Sequence, residues 1–247
     1  MGTQRVVAII EARMTSSRLP GKHLIEAGGL PFIGHLIRRL KAVPSLDQIV
    51  LATTQNATDD ILVQVVQDFG IPCFRGSEND VQDRVIGAGE NFNADIIVEI
   101  TGDCPVIDPE IVEQSIRTYM ANSASFVTNA HIRSYPDGMD AQVFPLSALV
   151  KSKQLSNDPG DREHVTLFMR RNPHIFPPIH LVAPPSLYWP ELGLTLDESA
   201  DVKLLTKIVE YFGLDRPLFS CCDIVRALRN NPSWLDLNAH VNRRIIN

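Results

Sequence analysis

The chain has 247 residues, 44% of them hydrophobic, which is enough to bury the core of one large α/β domain. Its 29 acidic residues outnumber 23 basic ones, so the net charge of -6 leaves no global positive field to hold nucleic acid. The cysteines show no C-x-x-C spacing, which predicts reduced thiols and a cytoplasmic protein: Cys73, Cys104, Cys221 and Cys222. No apolar run is long enough for a membrane span, and the run at 6–10 is too short for a signal peptide.

The first half of the chain alternates short apolar runs with amphipathic segments. Strands are predicted at residues 6–10, 48–53, 71–74 and 95–101. Helices are predicted after Pro31 in a first turn, after Thr58 as N-cap, over 80–92, and after Asp108 as N-cap. This alternation predicts βαβ units, and therefore an α/β fold of three α/β/α layers around a mostly parallel central sheet.

The alternation becomes less regular past about residue 123. Strands are predicted at 125–128, 141–144 and 192–196, and helices at 145–156, 161–171, 200–212 and 223–229. Prolines are frequent from residue 172 to 190, which excludes a long helix and predicts an extended, turn-rich crossing segment.

A cationic loop at residues 11–22 directly follows the first predicted strand. It contains three cations, two serines and a Pro-Gly turn: Arg13, Ser16, Ser17, Arg18, Pro20-Gly21 and Lys22. Ligands of open α/β sheets bind at the carboxyl ends of strands, and Arg and Lys match phosphate oxygens there. The loop therefore predicts a site for a nucleoside triphosphate.

Two familiar phosphate motifs are excluded. Ser16 stands where a Walker A loop needs its first glycine, and His23 follows Gly21-Lys22. Residues 87–92 supply two of the three glycines of a dinucleotide fingerprint, but they lie late in a predicted helix rather than after a strand. ATPase and dinucleotide-binding functions are therefore not indicated.

Two acidic residues close predicted strands. Asp103 follows the strand at 95–101, and Asp197 follows the strand at 192–196. Carboxylate oxygens suit Mg²⁺, which binds one or two protein carboxylates together with substrate phosphates and water. The alternatives are structural: Asp103 caps the turn at Pro105, and Asp197 is a helix N-cap. Together with the cationic loop, the two aspartates describe a metal–triphosphate site.

The run 12–22 resembles the signature of the CMP-sugar synthetases, cytidylyltransferases of the nucleotide-diphospho-sugar transferase superfamily, and most of all their spore-coat polysaccharide type. Supporting matches follow in the same order as in that family: Leu51-Ala52-Thr53-Thr54, residues 74–81, Thr101-Gly102-Asp103-Cys104-Pro105, residues 135–140, residues 162–166 and Leu196-Asp197. The resemblance spans roughly residues 5 to 212.

The resemblance implies a single Rossmann-like nucleotidyltransferase domain over residues 1–247, with a smaller β/α extension for dimerisation or the acceptor. Within it, residues 1–123 would bind the nucleotide and residues 124–212 would serve the acceptor and the dimer. Residues 213–247 resemble nothing in the family; they are predicted to form a helical tail, which is packing, a dimer arm or a partner surface. A homodimer is expected, and residues 129–190 are its candidate interface. The apolar residues of that segment fit an interface or the core equally well: Phe176, Ile179, Leu187, Tyr188 and Trp189.

The resemblance also implies a role for individual residues, where the family's motifs match positions of this chain. Catalytic roles fall on Arg13, Lys22, Asp103 and Asp197, and the two aspartates would bind Mg²⁺. Nucleotide contacts fall on Ala12, Arg13, Ser16, Ser17, Arg18, Lys22, Thr53, Arg75, Ser77, Thr101 and Asp103. Acceptor contacts fall on Tyr135, Asp140, Glu163 and His164. The chain departs from the family pattern in having Glu11 instead of Gln and no proline after Asp197.

The implied reaction transfers CMP from CTP to a small sugar acceptor and releases pyrophosphate. The expected acceptor is a nonulosonic or 3-deoxy-ulosonic acid destined for surface polysaccharide. His164 is either a general base or a surface or capping residue. Other readings are a guanylyl- or uridylyltransferase acting on a sugar 1-phosphate, a non-catalytic nucleotide-sugar binding subunit, and a glycosyltransferase of related fold.

Overall fold

A seven-stranded sheet forms the centre of the computed structural model, which describes residues 4–243. The ends of the predicted domain, 1–3 and 244–247, lie outside the described residues. The strands, in the order in which they lie across the sheet, are β5 (Cys73–Gly76), β4 (Gln48–Thr54), β1 (Val6–Glu11), β6 (Ile96–Thr101), β8 (Gln142–Pro145), β7 (Phe126–Thr128) and β9 (Pro178–His180). A separate two-stranded hairpin joins β2 (Glu26–Ala27) to β3 (Leu30–Pro31).

The sheet is mostly parallel. β5, β4, β1 and β6 pair in parallel, whereas β8 runs antiparallel to both of its neighbours, β6 and β7. The pairing of β6 with β8 joins the two predicted halves of the chain into one sheet. The mostly parallel α/β prediction is therefore confirmed.

Helices cover both faces of the sheet. They are α1 (Phe32–Leu40), α2 (Asp60–Asp68), α3 (Val81–Asn91), α4 (Pro109–Ala121), α5 (Leu146–Leu155), α6 (Pro159–Glu163), α7 (Leu167–Arg171), α8 (Ser199–Phe212) and α9 (Cys221–Asn230). Successive β1 residues alternate between the two faces: Val6, Ala8 and Ile10 pack with α1, α2 and α4, while Val7 and Ile9 pack with α3, α5 and α7. A third cluster packs α8 and α9 against residues 192–196. No helix within residues 4–243 has the length and apolar character needed to cross a bilayer.

Two helix starts differ from prediction. Asp59, not Thr58, is the N-cap of α2, because Thr58 lies inside a 3-10 turn over Ala57–Asp59. Pro31 is the N-cap of α1 rather than part of its first turn. Asp108 is the N-cap of α4 as predicted, and its side chain accepts a hydrogen bond from the Glu110 amide.

The predicted helix at 161–171 is wrong as a single element. It is two short helices, α6 and α7, separated by residues 164–166. Tertiary contacts hold this break, because the Val165 carbonyl accepts from Gln82 and the Thr166 hydroxyl donates to Gln142. The local periodicity of the sequence carries no information about those two distant partners.

The predicted strand at 192–196 is also wrong. This segment forms only an isolated bridge from Gly193 to Asp137, and the Leu196 amide donates to the Asp103 carbonyl at 2.8 Å. Its apolar residues, Leu192, Leu194 and Leu196, are buried against α8 and α9. Burial in a helical cluster, rather than in a sheet, explains the strand-like apolar alternation.

Candidate functional site

The carboxyl ends of three neighbouring strands meet at one edge of the sheet. β1 ends at Glu11, and its neighbours β4 and β6 end at Thr54 and Thr101. Gly102 lets the backbone after β6 pack directly against the backbone after β1. A Cβ at position 102 would lie 2.8 Å from the Ala12 Cβ and 2.9 Å from the Glu11 carbonyl oxygen. The cationic loop and the segment that carries Asp103 are therefore neighbours.

Lys22 lies between the two acidic residues predicted to bind metal. Its Nζ is 2.7 Å from Asp103 Oδ2 and 3.7 Å from Asp197 Oδ1, and its side chain is almost completely buried. Arg18 Nη2 donates to the same Asp197 oxygen at 2.7 Å. The structure thus brings together Arg18, Lys22, Asp103 and Asp197, which are up to 179 residues apart in sequence.

Neither structural alternative describes the observed contacts of these aspartates. The N-cap of α8 is Glu198, which forms a capping box with Asp201, so Asp197 is not the cap. Asp197 Oδ2 instead accepts from the Thr195 hydroxyl at 2.9 Å. Asp103 forms an ion pair with Lys22, and the Nε2 atom of the buried His23 lies 3.9 Å from Asp103 Oδ1.

Arg13, the remaining loop cation, points away from the aspartates. It lies 3.6 Å from a carboxylate oxygen of Glu78 and donates to the Glu78 carbonyl at 3.3 Å. Thr15 and Asn56 donate to the same carboxylate at 2.9 and 2.8 Å. Each of the three cations therefore has an acidic partner from a different part of the chain in this structure.

Asp59 anchors the cationic loop, a role that sequence reasoning missed. Its fully buried carboxylate accepts from the Met14 amide at 2.8 Å, from the Thr53 hydroxyl at 2.8 Å, and from the amide and hydroxyl of Thr54. Burial alone would raise the pKa of Asp59, but the hydrogen bonds from Thr54, Met14 and Thr53 outweigh it and lower the pKa. The signal in the sequence is the pair Asp59-Asp60 next to a predicted helix start, but acidic residues at that position are also typical of favourable helix electrostatics.

The three residues predicted to contact the nucleoside form hydrogen bonds within the protein in this structure. Thr53 is fully buried and its hydroxyl is bonded to Asp59. Arg75 donates to the Thr54 and Asn56 carbonyls and to Asp60. Ser77 accepts from the Asp80 amide. All three side chains are thus hydrogen-bonded within the protein, and Thr53 is not at the protein surface.

The other predicted nucleotide contacts are small residues, and they form few side-chain contacts within the protein. Ala12 is buried against Gly102, and the Ser16 hydroxyl accepts a long 3.5 Å hydrogen bond from the Leu19 amide. Ser17 is exposed, as is Thr101, whose hydroxyl lies 3.2 Å from Cys104 Sγ. Ser17 and Thr101 are therefore open to a ligand.

The donor set fits a hard divalent cation. Asp103 and Asp197 offer carboxylate oxygens within ion-pair distance of one ammonium nitrogen, and the main-chain bond from Leu196 to Asp103 holds their segments together. Within residues 4–243, no cluster of three or more acidic, His or Cys side chains is arranged to hold a metal by itself. This suits Mg²⁺, which takes its remaining ligands from phosphates and water.

A cavity of about 510 Å³ opens at the same edge of the sheet, and its lining includes Glu11 and Thr101 at the two strand ends. Three predicted acceptor residues line it: Asp140, Glu163 and His164. The fourth, Tyr135, does not, because it is buried with Ile111 and Leu194 in the cluster around α8 and α9. The acceptor contact of Tyr135 stays a prediction, and in this structure its side chain does not reach the cavity.

The cavity also contains a pair of carboxyl groups that sequence analysis missed. Glu11 and Glu99 are neighbours that influence each other's ionisation, and two carboxyl groups hydrogen-bond to each other only when one of them carries a proton. Burial, followed by the Glu99 charge, raises the pKa of Glu11 well above its usual range, and burial raises the pKa of Glu99 to about 7. Gln142 donates to Glu99 at 2.8 Å, and Glu11 Oε1 has no hydrogen-bond partner in the described part of the chain.

The remaining cavity groups carry mixed charge. Burial raises the pKa of Asp140 to about 6 although Arg133 lies 3.2 Å away. Burial lowers the pKa of His164, so its imidazole is neutral at pH 7. Arg170 and Arg171 of α7 complete the lining on one side. The cavity therefore offers hydrogen-bond acceptors, cations and a neutral imidazole to a polar ligand.

Comparison with known proteins places this site in a family. A family model described as cytidylyltransferase matches residues 7–203. The spore coat polysaccharide biosynthesis protein SpsF of Bacillus subtilis is 30% identical over 232 residues, which cover 92% of this chain and 95% of that protein.

Two solved structures share the architecture. A cytidylyltransferase from Leptospira borgpetersenii superposes with a TM-score of 0.91 at 31% identity, covering 99% of this chain and 100% of that one. A CMP:2-keto-3-deoxy-manno-octonic acid synthetase complexed with CTP gives a TM-score of 0.64 at 21% identity, covering 84% and 99%, and so supports the Rossmann-like fold. The chain belongs to the cytidylyltransferase family.

Proposed function

We propose that this protein transfers CMP from CTP to a hydroxyl group of a small sugar acid, with Mg²⁺ as cofactor and pyrophosphate as the second product. One observation carries the proposal: Asp103 and Asp197 converge on Lys22 at the edge of the sheet where a polar cavity opens. The structural relative complexed with CTP and the polysaccharide role in the name of the Bacillus protein support the choice of nucleotide and acceptor.

Binding of the triphosphate would replace ion pairs within the protein by ion pairs with phosphate. Arg13, Arg18 and Lys22 are paired with carboxylates in this structure, and phosphate oxygens would replace those carboxylates. Asp103 and Asp197 would then be free to hold Mg²⁺, which would neutralise charge on the phosphate oxygens of the transition state. The ion pairs keep the cations in place before the nucleotide arrives.

The acceptor would occupy the 510 Å³ cavity. Asp140, Glu163 and the Glu11–Glu99 pair offer oxygens to sugar hydroxyls, and Arg133 offers a cation to an acid group. The acceptor hydroxyl would attack the α-phosphorus in line, forming the new O–P bond as pyrophosphate leaves. Neutral His164 is able to accept the hydroxyl proton as a general base. Positioning and electrostatic stabilisation supply most of the acceleration.

Pyrophosphate release tests the proposal. CTP, GTP, UTP, dTTP and ATP are each assayed with Mg²⁺ against a panel of 3-deoxy-ulosonic acids, nonulosonic acids and sugar 1-phosphates. We expect release with CTP and a sugar acid. Release with GTP or UTP and a sugar 1-phosphate, or nucleotide binding without turnover across the panel, would contradict the proposal.

The metal role is tested by Asp103→Asn. We expect pyrophosphate release at saturating Mg²⁺ to fall about 10²-fold, because the variant lacks a charge that acts in the transition state. Asp215→Asn, a change at an exposed residue outside the site, is the matched control. Wild-type release by Asp103→Asn would show that the metal assignment is wrong.

A further inference from the structure

The last described residues of the chain fold back onto the loop that carries Asp197. After α9, a 3-10 turn at Pro232–Leu237 leads to Asn238 and Arg243. Both side chains reach the segment 193–201, and these contacts join residues that are 37 to 48 positions apart in sequence. The family model ends at residue 203, before this tail begins.

Asp201 connects the tail to the Asp197 loop. Its side chain is completely buried on the first turn of α8. One carboxylate oxygen accepts from the main-chain amides of Asp197 and Glu198 at 3.2 and 2.9 Å. The other accepts from Asn238 Nδ2 at 2.9 Å and from Arg243 Nη2 at 2.8 Å. Tail and loop are therefore bound to the two oxygens of one buried carboxylate.

Arg243 also acts on the Asp197 side chain through Thr195. Arg243 Nη1 donates to the Thr195 hydroxyl at 2.6 Å, and that hydroxyl donates to Asp197 Oδ2 at 2.9 Å. The same guanidinium nitrogen lies 3.8 Å from Asp197 Oδ2. Since the arginine donates to Thr195, the hydroxyl proton is directed towards Asp197, which orients the carboxylate.

Gly193 provides the space for this guanidinium. A Cβ at position 193 would lie 1.8 Å from Arg243 Cζ and Nε, so no other residue fits without moving the arginine. Asn238 also donates to the Gly193 carbonyl at 3.1 Å. Glycine at this position and arginine in the tail therefore form one packing arrangement.

We propose that Arg243 is a positioning residue of the nucleotidyl-transfer site, which fixes the Asp197 carboxylate through Thr195 and Asp201 for the divalent cation. The tail is thus part of the site, although it lies outside the matched family region. The proposal rests on the proposed function in one respect, the metal role of Asp197. The anchoring of the Asp197 loop by the tail does not depend on it.

Mn²⁺ binding in the presence of CTP, followed by electron paramagnetic resonance, measures the effect on the cation site. We expect Arg243→Gln to weaken Mn²⁺ binding about 10- to 100-fold, as removal of outer ligand-orienting partners does elsewhere. Gly193→Ala keeps the charge of Arg243 but displaces its guanidinium. We expect it to weaken Mn²⁺ binding to a similar extent. Arg243→Lys, which keeps charge without the planar fork, should retain part of the affinity. Arg226→Gln, an exposed arginine on α9, is the matched control.

Hydrogen exchange of the Asp197 and Glu198 amides gives a readout independent of metal and activity. We expect faster exchange in Arg243→Gln and Gly193→Ala than in the wild type and in Arg226→Gln, because both variants loosen the Asp201 contacts. Unchanged exchange would overturn the anchoring. Faster exchange with unchanged Mn²⁺ affinity would overturn the positioning role, because the tail would then only stabilise α8.

Asp197→Asn separates this proposal from the proposed function. If this variant binds Mn²⁺ with CTP as tightly as the wild type, the metal role of Asp197 is wrong and the proposed site fails at that residue. If it loses affinity while Arg243→Gln and Gly193→Ala do not, the proposed site stands and the Arg243 proposal is overturned.

Discussion

The carboxyl pair of Glu11 and Glu99 shows how the environment of single residues sets the chemistry of the cavity. Each carboxylate would be ionised in water at pH 7, but burial and their mutual repulsion favour one retained proton. Glu11 is also the residue at which the chain departs from the family pattern. It lines the cavity proposed for the acceptor, so under that proposal the departure would bear on the acceptor.

The raised pKa values predict a pH-dependent stability. In the folded protein Glu99 holds its proton up to about pH 7 and the pKa of Glu11 is raised as well, whereas both carboxyls ionise near pH 4.5 in the unfolded chain. A raised folded-state pKa gives stability that is present at low pH and is lost as pH rises through this window. Relative to Glu99→Gln, we expect the wild type to lose on the order of 1–3 kcal/mol of unfolding free energy between pH 5 and about pH 8.

Urea unfolding at a series of pH values and constant ionic strength measures this difference. Glu90→Gln, a change at an exposed glutamate of α3, is the control for loss of one carboxyl group. Wild-type and Glu99→Gln curves that stay parallel across the range would contradict a shared proton in the cavity.

At the scale of elements, the cationic loop depends on a contact made by the turn that precedes α2. The loop has no regular structure before residue 22, and its Met14 amide is held by Asp59, which also binds the end of β4. One buried carboxylate thus aligns the loop with two strand ends. A loop held in this way is already ordered before a ligand binds, so binding does not have to supply the free energy of ordering it.

Asp59→Asn tests this anchoring. We expect unfolding free energy to fall by about 2 kcal/mol, because an amide replaces a charged acceptor of four hydrogen bonds and leaves buried donors unpaired. CTP binding by calorimetry should weaken as well. Asp60→Asn is the neighbouring control: Asp60 is exposed and pairs only with Arg75 in the described structure, so we expect a change below about 1 kcal/mol. Equal effects of the two variants would argue against the anchor.

At the scale of the whole molecule, the homodimer stays a prediction. The structure shows which apolar residues of the candidate interface are exposed and so available to contact a second chain. Of the apolar residues in the candidate interface, Phe176 is core, and Ile179, Leu187 and Trp189 pack partly against the core. Tyr188 remains exposed, as do Ile132 and Val182 in the same segment.

Val182→Asp tests this surface. We expect the wild type to show twice the mass of one chain in light scattering after size exclusion, and Val182→Asp to shift towards the single-chain mass, because a buried charge opposes association. Ile61→Asp on α2 is the control: Ile61 and Val182 are similarly exposed, at 48% and 56%. A wild-type monomer would contradict the dimer, and a Val182→Asp dimer would place the interface elsewhere.

The sequence by itself determined the α/β alternation, the cationic loop after β1 and the acidic residues at positions 103 and 197. These features depend on periodicity, turn residues and charge within short windows of sequence, so they can be predicted without knowing which distant residues are in contact. The break at 164–166 and the burial of Leu192, Leu194 and Leu196 against helices were beyond such local signals, because distant partners decide them.

Only the tertiary structure decided which side chains meet. Antiparallel insertion of β8 beside β6 brings Gln142 to Glu99, and the pairing of β6 with β1 brings Glu99 to Glu11. The return of the tail brings Arg243 to Asp197. Sheet order and chain return are set by packing over the whole molecule, so no window of the sequence contains them.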